Sequence, residues 1–142
     1  MTTFTLRTTA QPGTSRKLAK AAVTILAETI SDKDVLYNFD LALSEACANV
    51  VRHAYKGREP GDLEITLSID RPGSITLEVA DWGSGLHVKP HDVQNAQPEA
   101  EGGRGLFIMS ELADTFDVRK DNGKNVVAIT INIGESQWIP CA

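Results

Sequence analysis

Residues 62–81, DLEITLSIDRPGSITLEVAD, decide the fold of this chain because they describe two strands joined by a tight turn. Apolar and polar side chains alternate on both sides of Arg71-Pro72-Gly73, and a period of two is typical of strands with one buried face. The segment therefore predicts a hairpin. Its expected buried face comprises Leu63, Ile65, Leu67, Ile69, Ile75, Leu77 and Val79.

The chain before this hairpin predicts one strand and two helices. Residues 3–9 alternate and carry β-branched side chains, which favours a strand. Thr14 or Ser15 is expected to cap a first helix that runs to about Ile30. Caps among residues 31–34 then precede a second helix, expected from Val35 to about Tyr55.

The chain after the hairpin predicts a loop, a helix and a second hairpin. Residues 86–101 contain Pro90 and Pro98 and follow neither period, so we expect a long loop of a functional or mobile kind. Residues 106–113 predict a short helix. Asn122-Gly123 predicts a tight turn between strands at 115–120 and 124–133.

The element order is therefore β-α-α-β-β-α-β-β, and strands joined by tight turns pair antiparallel. This order predicts an α+β fold, a two-layer α/β sandwich with a mainly antiparallel sheet and the helices on one face. With 142 residues and neither a repeat nor a linker, residues 1–142 are expected to form a single domain.

The composition excludes several classes of protein. The net charge is −5 and the basic residues are scattered, which argues against a nucleic-acid partner. No apolar run reaches the roughly 18 residues of a membrane helix, and no secretory signal is visible. The two cysteines, Cys47 and Cys141, indicate neither a disulfide framework nor zinc, so we expect a cytoplasmic protein.

The second predicted helix carries a polar stripe opposite its apolar stripe. Glu45, Asn49 and His53 repeat every four residues, and Arg52 lies on the same side. Asn disfavours the middle of a helix, yet its side-chain oxygen suits Mg²⁺, which takes one or two protein groups beside phosphates. A carboxylate one turn earlier could accept a proton from an attacking hydroxyl. The simpler alternative is a stripe that faces water.

Asp81-Trp82-Gly83-Ser84-Gly85 follows directly on the second strand of the first hairpin. A carboxylate accepts hydrogen bonds only, so Asp81 suits the exocyclic amine of adenine, whereas guanine would present an oxygen there. Gly83 and Gly85 would let the backbone approach a flat base. A plain turn after a strand is the alternative interpretation.

Gly102-Gly103-Arg104-Gly105 precedes the third predicted helix, and glycine amides at a helix N-terminus suit phosphate groups. The alternative is a flexible entry into the helix. The segment is not a P-loop, and no βαβ unit surrounds it, which disfavours a dinucleotide fingerprint. His87 and His91 lack a third ligand, so zinc is not expected. Trp82 and Trp138 are assigned to packing.

These segments together resemble a known family. SEACANVVRHAY is similar to the N-box, DWGSGL to the first glycine box and EGGRGLFIM to the second glycine box of the GHKL, or Bergerat-type, ATP-binding superfamily. The resemblance covers most of the chain. Within that superfamily the chain looks most like the bacterial anti-sigma factor serine kinases, which typically carry Glu-x-x-x-Asn-x-x-x-His-Ala-Tyr and Gly-Gly-x-Gly-Leu.

The resemblance implies a role for each matching residue, with ATP and Mg²⁺ as cofactors. Glu45 would be the general base and Asn49 would hold Mg²⁺, while residues 86–101 would form an ATP lid. The remaining nucleotide contacts would come from Asp81, Gly83, Gly85, Gly102, Gly103, Arg104, Gly105 and Leu106. Many relatives place Thr where this chain has Lys124, so a contact from that position is not carried over.

The resemblance also implies a function and its partners. It implies phosphorylation of a serine on a STAS-type anti-anti-sigma factor, sequestration of a sigma factor, and homodimerisation. The length of 142 residues favours this class over gyrase-type and mismatch-repair ATPases, which need a second domain. Residues 1–34 contain no histidine, which argues against a histidine kinase with a phosphoacceptor helix. An ATP-dependent interaction switch with little phosphotransfer is the alternative, and a kinase domain detached from a larger sensor is the third possibility.

Overall fold

The computed structural model describes residues 1–84 and 104–140, and these residues form one sheet covered by helices. Gly85, Gly102, Gly103 and the predicted lid lie outside the described residues. The described elements are β1 (Thr2–Thr9), α1 (Pro12–Ala27), α2 (Lys33–Asn49), a π-helical turn (Val50–Ala54), β2 (Asp62–Asp70), β3 (Ser74–Asp81), α3 (Arg104–Leu112), β4 (Thr115–Asp121), β5 (Lys124–Asn132) and a 3₁₀ turn (Glu135–Gln137).

The five strands form one antiparallel sheet in the order β1-β2-β3-β5-β4. Strand β3 lies at the centre, so the residue at its end, Asp81, is opposite Leu63 of β2 and Asn125 of β5. The predicted α+β class and the antiparallel sheet are confirmed. The register places the last residue of β3 beside the first residues of β5, two segments more than forty positions apart in the chain.

The core lies between the sheet and the helices. The inward face of the first hairpin is buried as predicted, with Leu63, Ile65, Leu67, Ile75 and Leu77 fully inaccessible to solvent. Their partners across the layer include Phe39, Leu43, Ala46 and Cys47 of α2 and Leu18, Ala22 and Leu26 of α1. Because one stripe of each helix faces the sheet, the opposite stripes are left to form sites and surfaces.

The start and end of α1 differ from the prediction. The helix begins at Pro12, after an extended Gln11 whose side chain makes no capping bond. Proline suits the first helical position because its fixed φ is helical and its missing N–H is not needed there. Thr14 therefore lies inside the helix, where its hydroxyl donates to the Thr9 carbonyl at 2.7 Å. The helix ends at Ala27, and Ile30 instead forms a bridge with Trp138.

The second helix begins as predicted but does not continue unchanged to Tyr55. The Asp32 carboxylate caps it by accepting from the amides of Asp34 at 2.9 Å and Val35 at 3.2 Å. The α-helix ends at Asn49 and gives way to the π-helical turn Val50–Ala54. Such turns widen the helix locally and are frequent at functional sites. The uniform 100° periodicity assumed for the sequence could not predict this change.

The second hairpin confirms the Asn-Gly signal. Asn122 and Gly123 both have positive φ, 51° and 83°, as a two-residue turn with a right-handed twist requires. Its strand β5 pairs with β3, which brings the beginning of β5 to the polar end of the sheet. None of the helices in the described ranges is long and apolar enough to cross a membrane.

Candidate functional site

Asn49 is the most unusual polar residue of the predicted stripe, because it is buried, with 1% of its surface exposed. Its side-chain Oδ1 accepts a hydrogen bond from the Arg52 guanidinium at 2.9 Å. Its Nδ2 has no hydrogen-bond partner among the described residues. A buried donor without an acceptor destabilises a fold by about 1–3 kcal/mol. Within the described residues, the Nδ2 of Asn49 is therefore a buried donor that an acceptor on a ligand would satisfy.

Two further residues of the stripe surround this amide. Glu45 lies one helical turn before Asn49 and is half-buried, so its carboxylate remains reachable. His53 lies in the π-helical turn, and its Nε2 is also buried without a partner. The alternative of a stripe that merely faces water does not fit, because water would satisfy both of these atoms.

Asp81 ends β3 and forms the second part of the site. It is 7% exposed, and its Oδ1 accepts from the Gly83 amide at 2.9 Å and from Asn125 Nδ2 at 2.8 Å. No described residue donates a hydrogen bond to its Oδ2. Asn125 also donates to the Gly83 carbonyl at 2.9 Å. One carboxylate oxygen therefore fixes the loop, while the other remains available to a hydrogen-bond donor.

The loop after β3 lies directly against the π-helical turn. A Cβ added to Gly83 would lie 1.9 Å from the Ala54 carbonyl oxygen, so only glycine fits at this position. The same carbonyl accepts from the Ser84 amide at 2.8 Å. The sequence predicted that Gly83 permits a close backbone approach, and a close approach exists. The partner in the structure is the chain's own backbone.

Tyr55 joins the same loop to β2. Its hydroxyl donates to the Asp62 carbonyl at 2.6 Å and accepts from the Trp82 amide at 2.9 Å. Burial raises the pKa of Tyr55 above its usual value, so the hydroxyl stays protonated and keeps its role as a donor. Tyr55 thus anchors the backbone of Trp82, the residue that follows Asp81.

A charged cluster that includes Lys124 lies beside this loop. The Lys124 Nζ donates to Glu64 at 3.2 Å and lies 5.7 Å from the centre of the Trp82 ring. Arg7 lies over the same ring at 4.6 Å and also binds Glu64. Burial alone would raise the pKa of Glu64, but the hydrogen bonds from Arg7 and Lys124 outweigh burial and lower the pKa below its usual value.

The residues present fit a magnesium ion bound together with phosphates. No group of three or more His, Cys, Asp or Glu side chains within residues 1–84 and 104–140 could hold a metal by itself. Mg²⁺ does not require such a cage, since it takes one or two protein oxygens and completes its shell with water and phosphate. The side-chain oxygen of Asn49, which also accepts from Arg52, and the carboxylate of Glu45 one helical turn earlier are oxygen ligands of that kind.

The predicted phosphate cradle is described only in part. Gly102 and Gly103 lie outside the described residues. The helix was predicted at 106–113, but α3 begins two residues earlier and spans Arg104–Leu112, so Arg104 and Gly105 belong to its first turn and do not precede it. Helix α3 packs beside α2, the helix that carries Glu45 and Asn49.

Three contacts were not predicted from the sequence. The Arg52–Asn49 bond was detectable, because residues three apart are neighbours on a helix. The Tyr55 bridge was not, because its partners are the backbone groups of Asp62 and Trp82, which carry no side-chain signal. The sequence placed Asn125 near the start of a strand, two residues after the turn glycine Gly123. It did not indicate that this strand pairs with β3, which is what brings Asn125 to Asp81.

Comparison with known proteins agrees with this fold. The profile of the histidine kinase-like ATPase domain matches residues 8–131. Serine-protein kinase RsbW of Bacillus licheniformis is 34% identical over 105 residues, which is 66% of this chain and 62% of that protein. Serine-protein kinase RsbW of Listeria monocytogenes is 31% identical over 112 residues, or 73% and 70% of the two chains. A Pseudomonas aeruginosa chain from the SiaB-SiaC complex shares the fold, with a TM-score of 0.56 and 11% identity over 90% of this chain and 89% of that one.

The matched profile spans most of the chain, so this protein belongs to the family of histidine kinase-like ATPase domains. The match with the B. licheniformis relative leaves more than a third of that protein's length unmatched, since it spans 62% of it. The family membership of this chain therefore does not by itself establish its activity, substrate or partners.

Proposed function

We propose that this chain is an ATP- and Mg²⁺-dependent serine/threonine protein kinase that acts in the cytoplasm as an anti-sigma factor. The observation that carries the proposal is Asn49, which is buried one helical turn after Glu45 and whose Nδ2 lacks a partner among the described residues. The relatives named serine-protein kinase support the type of transfer. The sequence resemblance supports a STAS-type anti-anti-sigma factor as substrate, a sigma factor as second partner, and a homodimer.

In the proposed site the nucleotide lies between the polar stripe and the loop after β3. Asp81 accepts the exocyclic amine of adenine through Oδ2, because Oδ1 is already used by Gly83 and Asn125. Asn49 holds the metal through its side-chain oxygen. Gly83, Gly85 and the segment 102–106 make the remaining contacts to the base and phosphates, with the N-terminus of α3 favouring negative charge.

Glu45 is the proposed general base for the transfer. The serine oxygen forms a bond to the γ-phosphorus, the bond to the departing ADP oxygen breaks, and the serine proton moves to the Glu45 carboxylate. When bound, Mg²⁺ neutralises the charge that develops on the phosphate oxygens. Arg52 bonds the side-chain oxygen of Asn49 at 2.9 Å, so it orients the amide that would bind the metal.

Substitution of Glu45 separates binding from transfer. Glu45→Gln keeps the size of the side chain and removes the base, so we expect ATP affinity within about threefold of the wild type and transfer lowered by roughly 10²–10⁴. Partner proteins captured from the native host and incubated with radiolabelled ATP supply the assay. Glu28→Gln, an exposed change at the end of α1, is the matched control and should transfer normally.

The outcomes distinguish the proposed functions. ATP binding with labelled serine in the wild type and none in Glu45→Gln supports the kinase. ATP binding without transfer by either protein supports the interaction switch and contradicts the kinase. Normal transfer by Glu45→Gln contradicts the assignment of the base alone, because the nucleotide would then still be bound and cleaved.

A further inference from the structure

A groove of about 430 Å³ runs between α1 and α2, and among the described residues Arg52 is the one lining residue that it shares with the proposed nucleotide site. Its apolar wall is formed by Cys47, Ala48 and Val51 of α2. Glu45, Asn49 and Asp81 do not line it. Volumes of roughly 300–1,000 Å³ with mostly apolar walls are typical of small-molecule sites. The groove therefore has the size and lining of a ligand site.

The rim of the groove is positively charged although the protein as a whole carries a charge of −5. Arg16 and Lys20 of α1 and Arg52 of α2 line it, against one acidic residue, Asp40. No carboxylate within residues 1–84 and 104–140 lies in ion-pairing distance of Arg16 or Lys20. The local excess of positive charge favours an anion at this position.

A second observation concerns Ser15, which lines the groove and is 3% exposed. Its hydroxyl oxygen is buried and has no hydrogen-bond partner in the part of the chain that the structure describes. Buried hydroxyls are normally paired, and a hydroxyl can rotate to suit a partner. An oxygen of a bound molecule would supply the missing partner at the end of the groove nearest Arg16.

Cys47 belongs to the apolar wall and is not a point of covalent attachment. Burial raises the pKa of its thiol to about 12, so at neutral pH the sulfur is protonated and behaves as an apolar group. The groove thus combines an uncharged apolar wall with cationic groups at its rim.

We propose that the α1–α2 groove binds a small amphipathic anion, with its apolar body against Cys47, Ala48 and Val51 and its acidic group held by Arg16 and Lys20. The proposal does not depend on the nucleotide function. Arg52 also lines the groove, but its bond to Asn49 connects it to the proposed metal ligand. Variants of Arg52 would therefore test two sites at once, and the experiment uses α1 instead.

Anilinonaphthalene sulfonate, a fluorescent dye with an aromatic body and a sulfonate group, is a suitable probe. We expect saturable fluorescence with the wild-type protein and at least about tenfold weaker binding by the double variant Arg16→Glu, Lys20→Glu, because attraction becomes repulsion at both contacts. Lys17→Glu changes the charge of an exposed residue on the same helix outside the groove, so its affinity should stay within about twofold.

Ala48→Trp provides a steric test that leaves the charge unchanged. The indole should fill the groove and abolish dye binding, while circular dichroism checks that the helices persist. Equal dye affinity in the wild type, the double variant and Ala48→Trp would overturn the proposal. So would an equal loss of affinity in Lys17→Glu, since the effect would then be one of overall charge. Displacement of the dye by ATP would place it in the nucleotide site and also contradict the proposal.

Discussion

Gly83 lies so close to the π-helical turn that one added methyl group would disturb the proposed site. In Gly83→Ala the new Cβ would lie 1.9 Å from the Ala54 oxygen, 2.5 Å from its carbonyl carbon and 3.1 Å from its Cα. Real Cβ atoms essentially never approach other atoms within 3.0 Å, so the first distance must lengthen by about 1.1 Å. The obstacle is backbone at the π-helical turn, which cannot move aside as a flexible side chain would.

The cost has two parts. Forcing extra volume into a packed region costs about 1–3 kcal/mol. Separating the loop from the turn also lengthens the 2.8 Å hydrogen bond from the Ser84 amide to Ala54, which contributes about 0.5–1.5 kcal/mol. The free energy of unfolding should therefore fall by roughly 2–4 kcal/mol. At about 4 °C per kcal/mol for a domain of this size, the melting temperature should fall by roughly 8–16 °C.

Thermal unfolding followed by circular dichroism measures this change, with Gly13→Ala as the matched control. Gly13 lies in α1, and a Cβ there has nothing within 4 Å, so the same substitution should leave the melting temperature unchanged or raise it. A Gly83→Ala protein that melts within about 2 °C of the wild type would refute the close contact between the loop and the turn.

Three further changes test other parts of the structure. Asn125→Ala should weaken ATP binding about tenfold or more by calorimetry, because Asp81 loses the 2.8 Å bond that fixes its position, and unchanged affinity would contradict that role. Glu64→Gln should cost about 1–3 kcal/mol at neutral pH in urea unfolding. The pKa of Glu64 is lowered in the folded protein, so its charge stabilises the fold fully above the unfolded pKa of 4.5. This stabilisation is lost as the pH falls through the folded pKa. Because Gln does not titrate, the unfolding free energy of Glu64→Gln should not show that acid-induced decrease. Cys47 should resist a thiol reagent at pH 8 in the folded protein, since its pKa is raised to about 12, and rapid labelling without unfolding would contradict its burial.

The sheet was predictable because each hairpin carries its own local signals. Alternation along 62–81 identified β2 and β3, and Asn122-Gly123 identified the turn before β5. The order of the strands in the sheet was not predictable from these local signals, because β5 lies between β3 and β4. Pairing between segments far apart in the chain depends on packing of whole elements, which a local pattern does not record.

The site was predictable where a helix or a strand end supplies the spacing. Glu45 and Asn49 lie on one polar stripe, and Asp81 ends a strand as predicted. The burial of Asn49 and its unpaired Nδ2 were not predictable, because helical spacing shows which residues share a face but not how deeply each is buried. The π-helical turn was not predicted because a fixed angle of about 100° per residue was assumed beyond Asn49.

Titration of the wild-type protein with ATP in the presence of Mg²⁺, followed by calorimetry and repeated with GTP, tests the central claim most directly. The claim is that Asn49 and Asp81 define an adenine nucleotide site. We predict saturable binding of ATP and affinity for GTP at least about tenfold lower, because guanine presents an oxygen where Asp81 requires a donor. The absence of saturable heat with ATP, or equal affinity for the two nucleotides, would contradict it.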